Sequence, residues 1–271
     1  MKRKVVLASQ AICVLLCAAP TGRAADIYSL ENAPTSAYVV ELGGYGVLAP
    51  AYEGSNRYVM SFKPIFYYTG PGDRQWLSFP NDAIDINLYE TSNFRAGPAA
   101  NITLQSRYHG EDIDLSLGKA DADLQTGGFA EYYPFANVRT RVEVLQGITG
   151  NTGLAANLSA DYVWRAAQDL TLTVGPRAQI VNDEYASAWF STENAKKTGT
   201  YVPFRAEGGV LYAGAEFTGK YDWSKEISGR FYMDYDQLMG DAADSPRVSI
   251  RGSSEQFIVG AGISYKFAIE P

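Results

Sequence analysis

Cysteine is the first thing this chain runs short of. Its only two, Cys13 and Cys17, fall near the amino terminus, and a single histidine, His109, serves all the rest of its 271 residues. A disulfide framework, thiol chemistry and a His/Cys zinc site are thereby excluded beyond the first segment. Long hydrophobic runs are missing as well. After the amino terminus no stretch of about eighteen apolar residues occurs, so no transmembrane helix is expected. Good helix formers never gather into a long periodic run. Positive charge is also scarce, with 23 Lys and Arg against 30 Asp and Glu and a net charge of −7, a poor balance for a nucleic-acid partner.

The amino terminus supplies an address. Met1-Lys2-Arg3-Lys4 is basic, Val5 to Ala19 is an apolar core too short to span a bilayer, and Gly22-Arg23-Ala24 places small residues at the minus-three and minus-one positions. Residues 1–24 are therefore expected to be a secretory signal peptide, cut after Ala24, with Ala25 as the alternative. Leu16 before Cys17 and Ile12 before Cys13 argue against a lipoprotein signal. Both cysteines leave with this segment, and the loss of Lys2, Arg3, Lys4 and Arg23 takes the net charge from −7 to −11. An exported chain without a spanning helix crosses a membrane only as a closed barrel, which pairs every backbone group without water.

What is present is a period of two. From Gln256 to Phe267, the residues Phe257, Val259, Ala261, Ile263, Tyr265 and Phe267 alternate with Gln256, Gly260, Gly262, Ser264 and Lys266 (Ile258 breaks the polar set). The aromatic end suits the interfacial girdle of a membrane barrel. Gly260, Gly262, Tyr265 and Phe267 together resemble the carboxy-terminal signal read by the outer-membrane barrel-assembly machinery. The bland alternative is the last strand of a soluble β-sandwich.

The same alternation recurs along the chain, in the bands 38–48, 58–68, 83–89, 94–105, 124–133, 138–146, 154–164, 170–180, 211–221 and 227–236. With 256–267 these make eleven, and the apolar run Trp76–Phe79 is the candidate for a short twelfth. Pro64 predicts a bulge or kink in its strand. Connections alternate between long (Arg107–Asp121, Gly147–Gly153, Asn182–Arg205, Gln237–Glu255) and tight (Glu90–Asn93, Pro134–Asn137, Arg165–Asp169, Asp222–Lys225). Outer-membrane barrels carry long external loops and short periplasmic turns in this way. The expected architecture is all-β: a single transmembrane antiparallel up-and-down barrel of about 12 strands, 10 as the fallback, with both termini periplasmic. The expected division is 1–24 signal peptide, 25–37 periplasmic lead, 38–267 barrel and 268–271 tail.

The faces opposite the apolar ones carry the strand charges. Arg95, Arg139, Arg141, Glu143, Asp161, Arg177, Glu216, Lys220, Arg230, Asp234, Asp236 and Lys266 are the residues expected to face the lumen. Both signs are present, so internal ion pairs are the ordinary expectation, and a narrow pore whose arginines favour anions is the sharper one. His109, beside Glu111, Asp112 and Asp114, permits a hydrolase site on paper, although a solvated loop histidine is the ordinary reading. Asp112, Asp114, Asp121 and Asp123 form an acidic patch that suits solubility, or else divalent-cation bridging to lipopolysaccharide phosphates. No cofactor or metal site is expected.

Several stretches carry a family resemblance. Pro50-Ala51-Tyr52-Glu53-Gly54-Ser55, Gly97-Pro98, Gly127-Gly128-Phe129-Ala130-Glu131-Tyr132, Tyr185 with Phe190, and Leu238-Met239-Gly240-Asp241-Ala242-Ala243-Asp244-Ser245-Pro246 resemble, in order, the signatures of the MipA/OmpV family. The Gly240 to Pro246 run is the most specific; the tail after Phe267 departs from the pattern. The resemblance implies an integral outer-membrane barrel with no catalytic residues, serving as an envelope scaffold that links a periplasmic murein lytic transglycosylase or synthase to the membrane. Its other implied partners are outer-membrane lipid, lipopolysaccharide and the barrel-assembly machinery. The alternatives are a narrow channel for small polar or anionic solutes and, more weakly, a hydrolase using His109.

Overall fold

The computed structural model describes residues 37–70, 76, 79–103, 123–149, 153–192 and 203–269. The expectations for the signal peptide, the lead up to residue 36 and the His109 loop with Asp112, Asp114 and Asp121 lie outside them. Strands β1 (Tyr38–Pro50), β2 (Tyr58–Thr69), β3 (Ile84–Asp85), β4 (Tyr89–Glu90), β5 (Phe94–Thr103), β6 (Asp123–Phe135), β7 (Val138–Gly147), β8 (Leu154–Arg165), β9 (Leu170–Val181), β10 (Gly209–Asp222), β11 (Ile227–Leu238) and β12 (Glu255–Ile269) form one sheet. Its order is β2-β1-β12-β11-β10-β9-β8-β7-β6-β5-β3, with β4 also on β5, and the pairings are antiparallel. The sheet curls into a nearly closed barrel.

The period of two decides which way each side chain looks. In β12 the side chains of Phe257, Val259, Ile263, Tyr265 and Phe267 are exposed on the outer surface, whereas Gln256 and Ser264 are buried. Outward apolar and inward polar is the reverse of a soluble barrel, and it suits a wall set in hydrocarbon. The first strand pairs with the last from Tyr38↔Ile269 to Leu48↔Val259, so both ends of the barrel segment share one rim. Ala268 and Ile269, expected as a tail, are thus ladder residues rather than an appendage. Tight turns gather at the same rim, where the Lys266 amide donates to Glu226 O at 2.7 Å and the Asp222 amide to Asp169 O at 2.8 Å.

β3 and β4 are two pieces of one interrupted strand. Between them the Ile86 amide donates to Pro98 O and the Leu88 amide to Ala96 O, each at 3.1 Å. Gly97 permits this approach, because a Cβ there would lie 1.9 Å from Ile86 O. The count of about twelve therefore stands as twelve ladder segments in eleven bands. The twelfth segment is not Trp76–Phe79 as expected: Trp76 and Phe79 belong to no ladder, and Phe79 is buried inside the barrel.

Parity explains why. Ten antiparallel pairings separate β2 from β3, an even number, so the two run in the same direction. A chain leaving β2 at the terminal rim must return to the opposite rim before it can descend again as β3 and β4. Residues 79–83 lie on that path, inside the barrel. Among the described residues β2 and β3 do not pair, and Met60 on β2 and Leu88 beside β4 are 76% and 77% exposed. Pro64 causes no bulge, since the β1–β2 register runs through Gly44↔Pro64 without a shift. β2 is an edge strand, where a missing donor is tolerated.

The opposite rim is capped. The long connection expected at 182–205 contains helix α1 (Asp183–Phe190), and α2 (Gly240–Asp244) and α3 (Pro246–Ser249) follow β11. Asn182 starts α1, its Oδ1 accepting the Tyr185 amide at 3.0 Å and the Leu154 amide at 2.9 Å. Tyr185, Ala186, Trp189 and Phe190 then pack with Ala206, Leu211, Leu238, Ala242 and Val248 as the largest apolar cluster. Gly240 opens α2 in the left-handed region, at φ +52°.

Candidate functional site

Strand register brings most of the expected lumen residues together. Arg95 faces Glu131 across β5–β6, Glu131 faces Arg141 across β6–β7, and Arg139 faces Asp161 across β7–β8. Glu131 consequently accepts from three guanidinium groups: Arg95 Nε at 2.8 Å, Arg139 Nε at 2.8 Å and Arg141 Nη1 at 3.2 Å. Arg139 also binds Asp161 at 2.9 Å, and Asp161 holds Arg177, which reaches on to Glu216 at 2.8 Å. Arg141 pairs with Glu143 at 2.7 Å. The chain of ion pairs thus runs along the inner wall from β5 to β10. Pairing of this kind is what makes buried charge tolerable.

The inner segment is fastened into this wall. Asp82 binds Arg139, the Ala83 amide donates to Glu143 Oε1 at 3.0 Å, and Arg139 stacks over the Phe79 ring at 4.0 Å. Asn81 Nδ2 donates to Glu216 Oε2 at 2.6 Å and also to Asp234, while its Oδ1 accepts from Lys63 Nζ at 3.1 Å. One asparagine therefore bridges β2 to β10 and β11. Asp85, on β3, adds contacts to Arg95 at 3.1 Å and Arg141 at 2.8 Å.

Nearer the terminal rim, Arg230 pairs with the buried Glu41 at 2.6 Å, and Lys220 pairs with Asp222 at 2.9 Å. Lys266 is half-buried beside them. Asp234 and Asp236 differ from the rest: Oδ1 of each is buried without a hydrogen-bond partner. A cavity of about 1570 Å³ follows the wall from Asp169 and Lys225 at the terminal rim to Tyr52 and Trp189 under the cap.

Asn81, Asp82, Asp85, Glu131, Glu41 and Lys63 join this network without having been expected to face the lumen, although Glu131 lies in a signature stretch. Glu41 and Lys63 occupied recognisable polar faces; Asn81 and Asp82 sat between strands, where nothing in the period marks them.

The signature loops meet at the capped rim. Arg247 lies 4.2 Å over the Tyr52 ring and donates to Trp189 O at 2.6 Å; Ser245 Oγ donates to Phe190 O at 2.6 Å. The Gly54 amide donates to Gln256 Oε1 at 3.0 Å, and Gly54 has φ +88° beneath Val248. Ser55 bridges Gly252, and Pro50, the last residue of β1, pairs with Tyr58. Asp241 Oδ2 accepts the Glu207 amide at 2.8 Å; Pro246 begins α3 after Asp244, the last residue of α2. Burial pushes the Glu53 carboxyl up to about 7, with Asp236 adding to the shift and Arg247 opposing it. Gly260 and Gly262 have a local use of their own. A Cβ at Gly260 would meet the Tyr232 ring at 2.1 Å, and one at Gly262 the Tyr45 ring at 2.8 Å, so the two glycines seat the T-shaped Tyr45–Tyr232 pair.

The wall, its apolar outer face and its charged interior define an outer-membrane β-barrel. Residues 42–267 match the family model described as MltA-interacting protein MipA, and the chain belongs to that family. No curated protein sequence matches it significantly. Among solved structures it is similar to the COG4313 outer membrane channel from Pseudomonas putida F1 (14% identity, 88% of this chain and 98% of that one, TM-score 0.46). It is also similar to the CymD monoaromatic hydrocarbon channel (11% identity, 94% of each chain, TM-score 0.40). A third likeness is to the outer membrane protein OprG from Pseudomonas aeruginosa (10% identity, 88% and 98%, TM-score 0.31).

Proposed function

We propose that this protein is a non-catalytic scaffold of the outer membrane that holds a periplasmic murein-processing enzyme, of the lytic transglycosylase class, against the membrane. The observation that carries the reading is the inner segment, bound through Asn81 and Asp82 to several strands of the wall and continued by Asp85 on β3. Interior charge spent on bracing makes a stiff platform, and stiffness is what a docking surface needs. The family description, an interaction with MltA, supports the partner class. The docking face is the terminal rim, with its turns at 165–169 and 222–225. A photocrosslinking residue placed at Gln168 or Lys225 in living cells is the test. Recovery of a murein lytic transglycosylase supports the scaffold; adducts with lipid alone, from both positions, overturn it.

A second reading is a narrow channel, favoured by the cavity of about 1570 Å³ that extends between the rims. The purified barrel in a planar bilayer decides this: stepwise conductance supports it, and a silent membrane removes it.

A further inference from the structure

One short stretch of the interior touches distant parts of the wall at once. The Asp82 amide donates to Phe79 O at 3.3 Å and closes a turn with Pro80 at its second position, where a fixed φ suits proline. From this turn Asp82 reaches Arg139 on β7, and the Ala83 amide reaches Glu143 on the same strand. Asn81 reaches the other way, to Glu216 on β10, Asp234 on β11 and Lys63 on β2. In the sheet order β8 and β9 stand between β7 and β10, so roughly 14 Å of wall separates those two tethers. Five residues that meet strands so far apart lie across the bore.

We infer that residues 79–83 are a strap that bars the lumen, and that charge holds it shut. Its two ends are seated differently. Ala83 packs in an apolar cluster with Ala99, Phe129 and Leu145. The turn ahead of it meets charged groups instead: Phe79 lies 4.0 Å under the Arg139 guanidinium, Asp82 binds Arg139, and Asn81 Nδ2 donates to Glu216 at 2.6 Å. Such contacts are strong in a dry interior, yet water can replace them once the bore is wet. Letting go of the strap strands no arginine of the wall, because Arg139 keeps Glu131 at 2.7 Å and Asp161 at 2.9 Å, and Arg141 keeps Glu143. Glu216 likewise keeps Arg177. The strap also borders the cavity of about 1570 Å³, so swinging the turn aside about Ala83 widens a space that already runs between the rims. This inference stands apart from the docking reading, since crosslinks at the terminal rim do not depend on the state of the bore. A silent unaltered barrel counts against the channel reading alone; the strap is judged on its variants.

The test is planar-bilayer recording of the purified protein carrying Asp82→Cys. The time spent conducting should rise at least about tenfold over the unaltered protein, the loss of one charge-assisted contact. A methanethiosulfonate reagent that attaches a sulfonatoethyl group to the new thiol returns an anion to the neighbourhood of Arg139, and should shut the bore again. The aminoethyl reagent, with the same linkage and the opposite charge, should leave it open. The unaltered protein treated with both reagents is the control. Asn81→Ala cuts the tethers on the other side and should open the bore too, which keeps the test decisive even if Asp82→Cys fails to fold. No gain of conductance in the folded variants, or the same response to both reagents, would overturn the strap.

Discussion

The two sides of the barrel interior are built on opposite terms. From β5 to β9 the wall is saturated: Glu131 binds three guanidinium groups, and Arg139 in turn holds Glu131, Asp161 and Asp82. On β11, a few strands away, Asp234 and Asp236 each bury an Oδ1 without a hydrogen-bond partner, although Asn81 donates to the other oxygen of Asp234. The same residue class, at the same period and facing the same way, is ion-paired on one side and without an ion pair among the described residues on the other. Register makes the difference. Cross-strand partners of Glu131 are arginines, whereas Asp236 lies opposite Gly214 and Asp234 opposite Glu216. A charge in a barrel lumen can therefore be classed only with its neighbours on the two adjacent strands.

Breaking the saturated side should have the largest effect. Arg139→Ala takes one shared guanidinium from Glu131, Asp161 and Asp82 at once, and removing one partner of a buried pair costs about 3–5 kcal/mol. Urea unfolding of the protein in detergent measures it, and a loss of under about 1 kcal/mol would mean the network is solvated. The same substitution class on the open side should run the other way. Asp236→Asn removes a charge with no ion pair among the described residues and should raise stability by about 1 kcal/mol, a sign that separates unpaired from paired charge in one assay.

A smaller effect belongs to the capped rim. Glu53 titrates at about 7 in the folded protein and near its ordinary value when unfolded. Between those values the folded state holds the extra proton, so this group's contribution falls as pH rises from about 4.5 through 7. The loss is on the order of 3 kcal/mol, and Glu53→Gln should flatten stability across that window. An unchanged pH slope in the variant would assign the effect to another group.

The walls were legible from the sequence because a period of two survives at every band, and even the interrupted strand shows it in Ile84, Ile86 and Leu88 against Asp85 and Asn87. The inward charges at 139, 141 and 143 were equally plain. The inner segment was not. Trp76 to Phe79 is apolar enough to imitate a strand, whereas Trp76 and Phe79 are held by arginine stacking and a tyrosine, contacts with no local signature. A signal did exist in the count: eleven bands with both ends on one rim require either another strand or a passage through the lumen. Helix α1 had announced itself too, through Asn182 followed by Asp183 and Glu184, an N-cap with an acidic first turn. Its setting in a long polar connection hid it.

The smallest effect tests whether the cap is as tightly specified as the saturated wall. Ser245 stands between α2 and α3, fully buried, and its hydroxyl donates to Phe190 O at the end of α1 at 2.6 Å. Ser245→Ala removes that donor and leaves a helix-end carbonyl short of a partner, costing about 1 kcal/mol. Because α1 and α2 are joined otherwise by apolar packing, the loss should be local: faster proteolysis within 183–208, with the global urea midpoint almost unmoved. A fall in the midpoint as large as that of Arg139→Ala would show instead that cap and wall unfold together, and that the division between a braced interior and a separately seated lid is wrong.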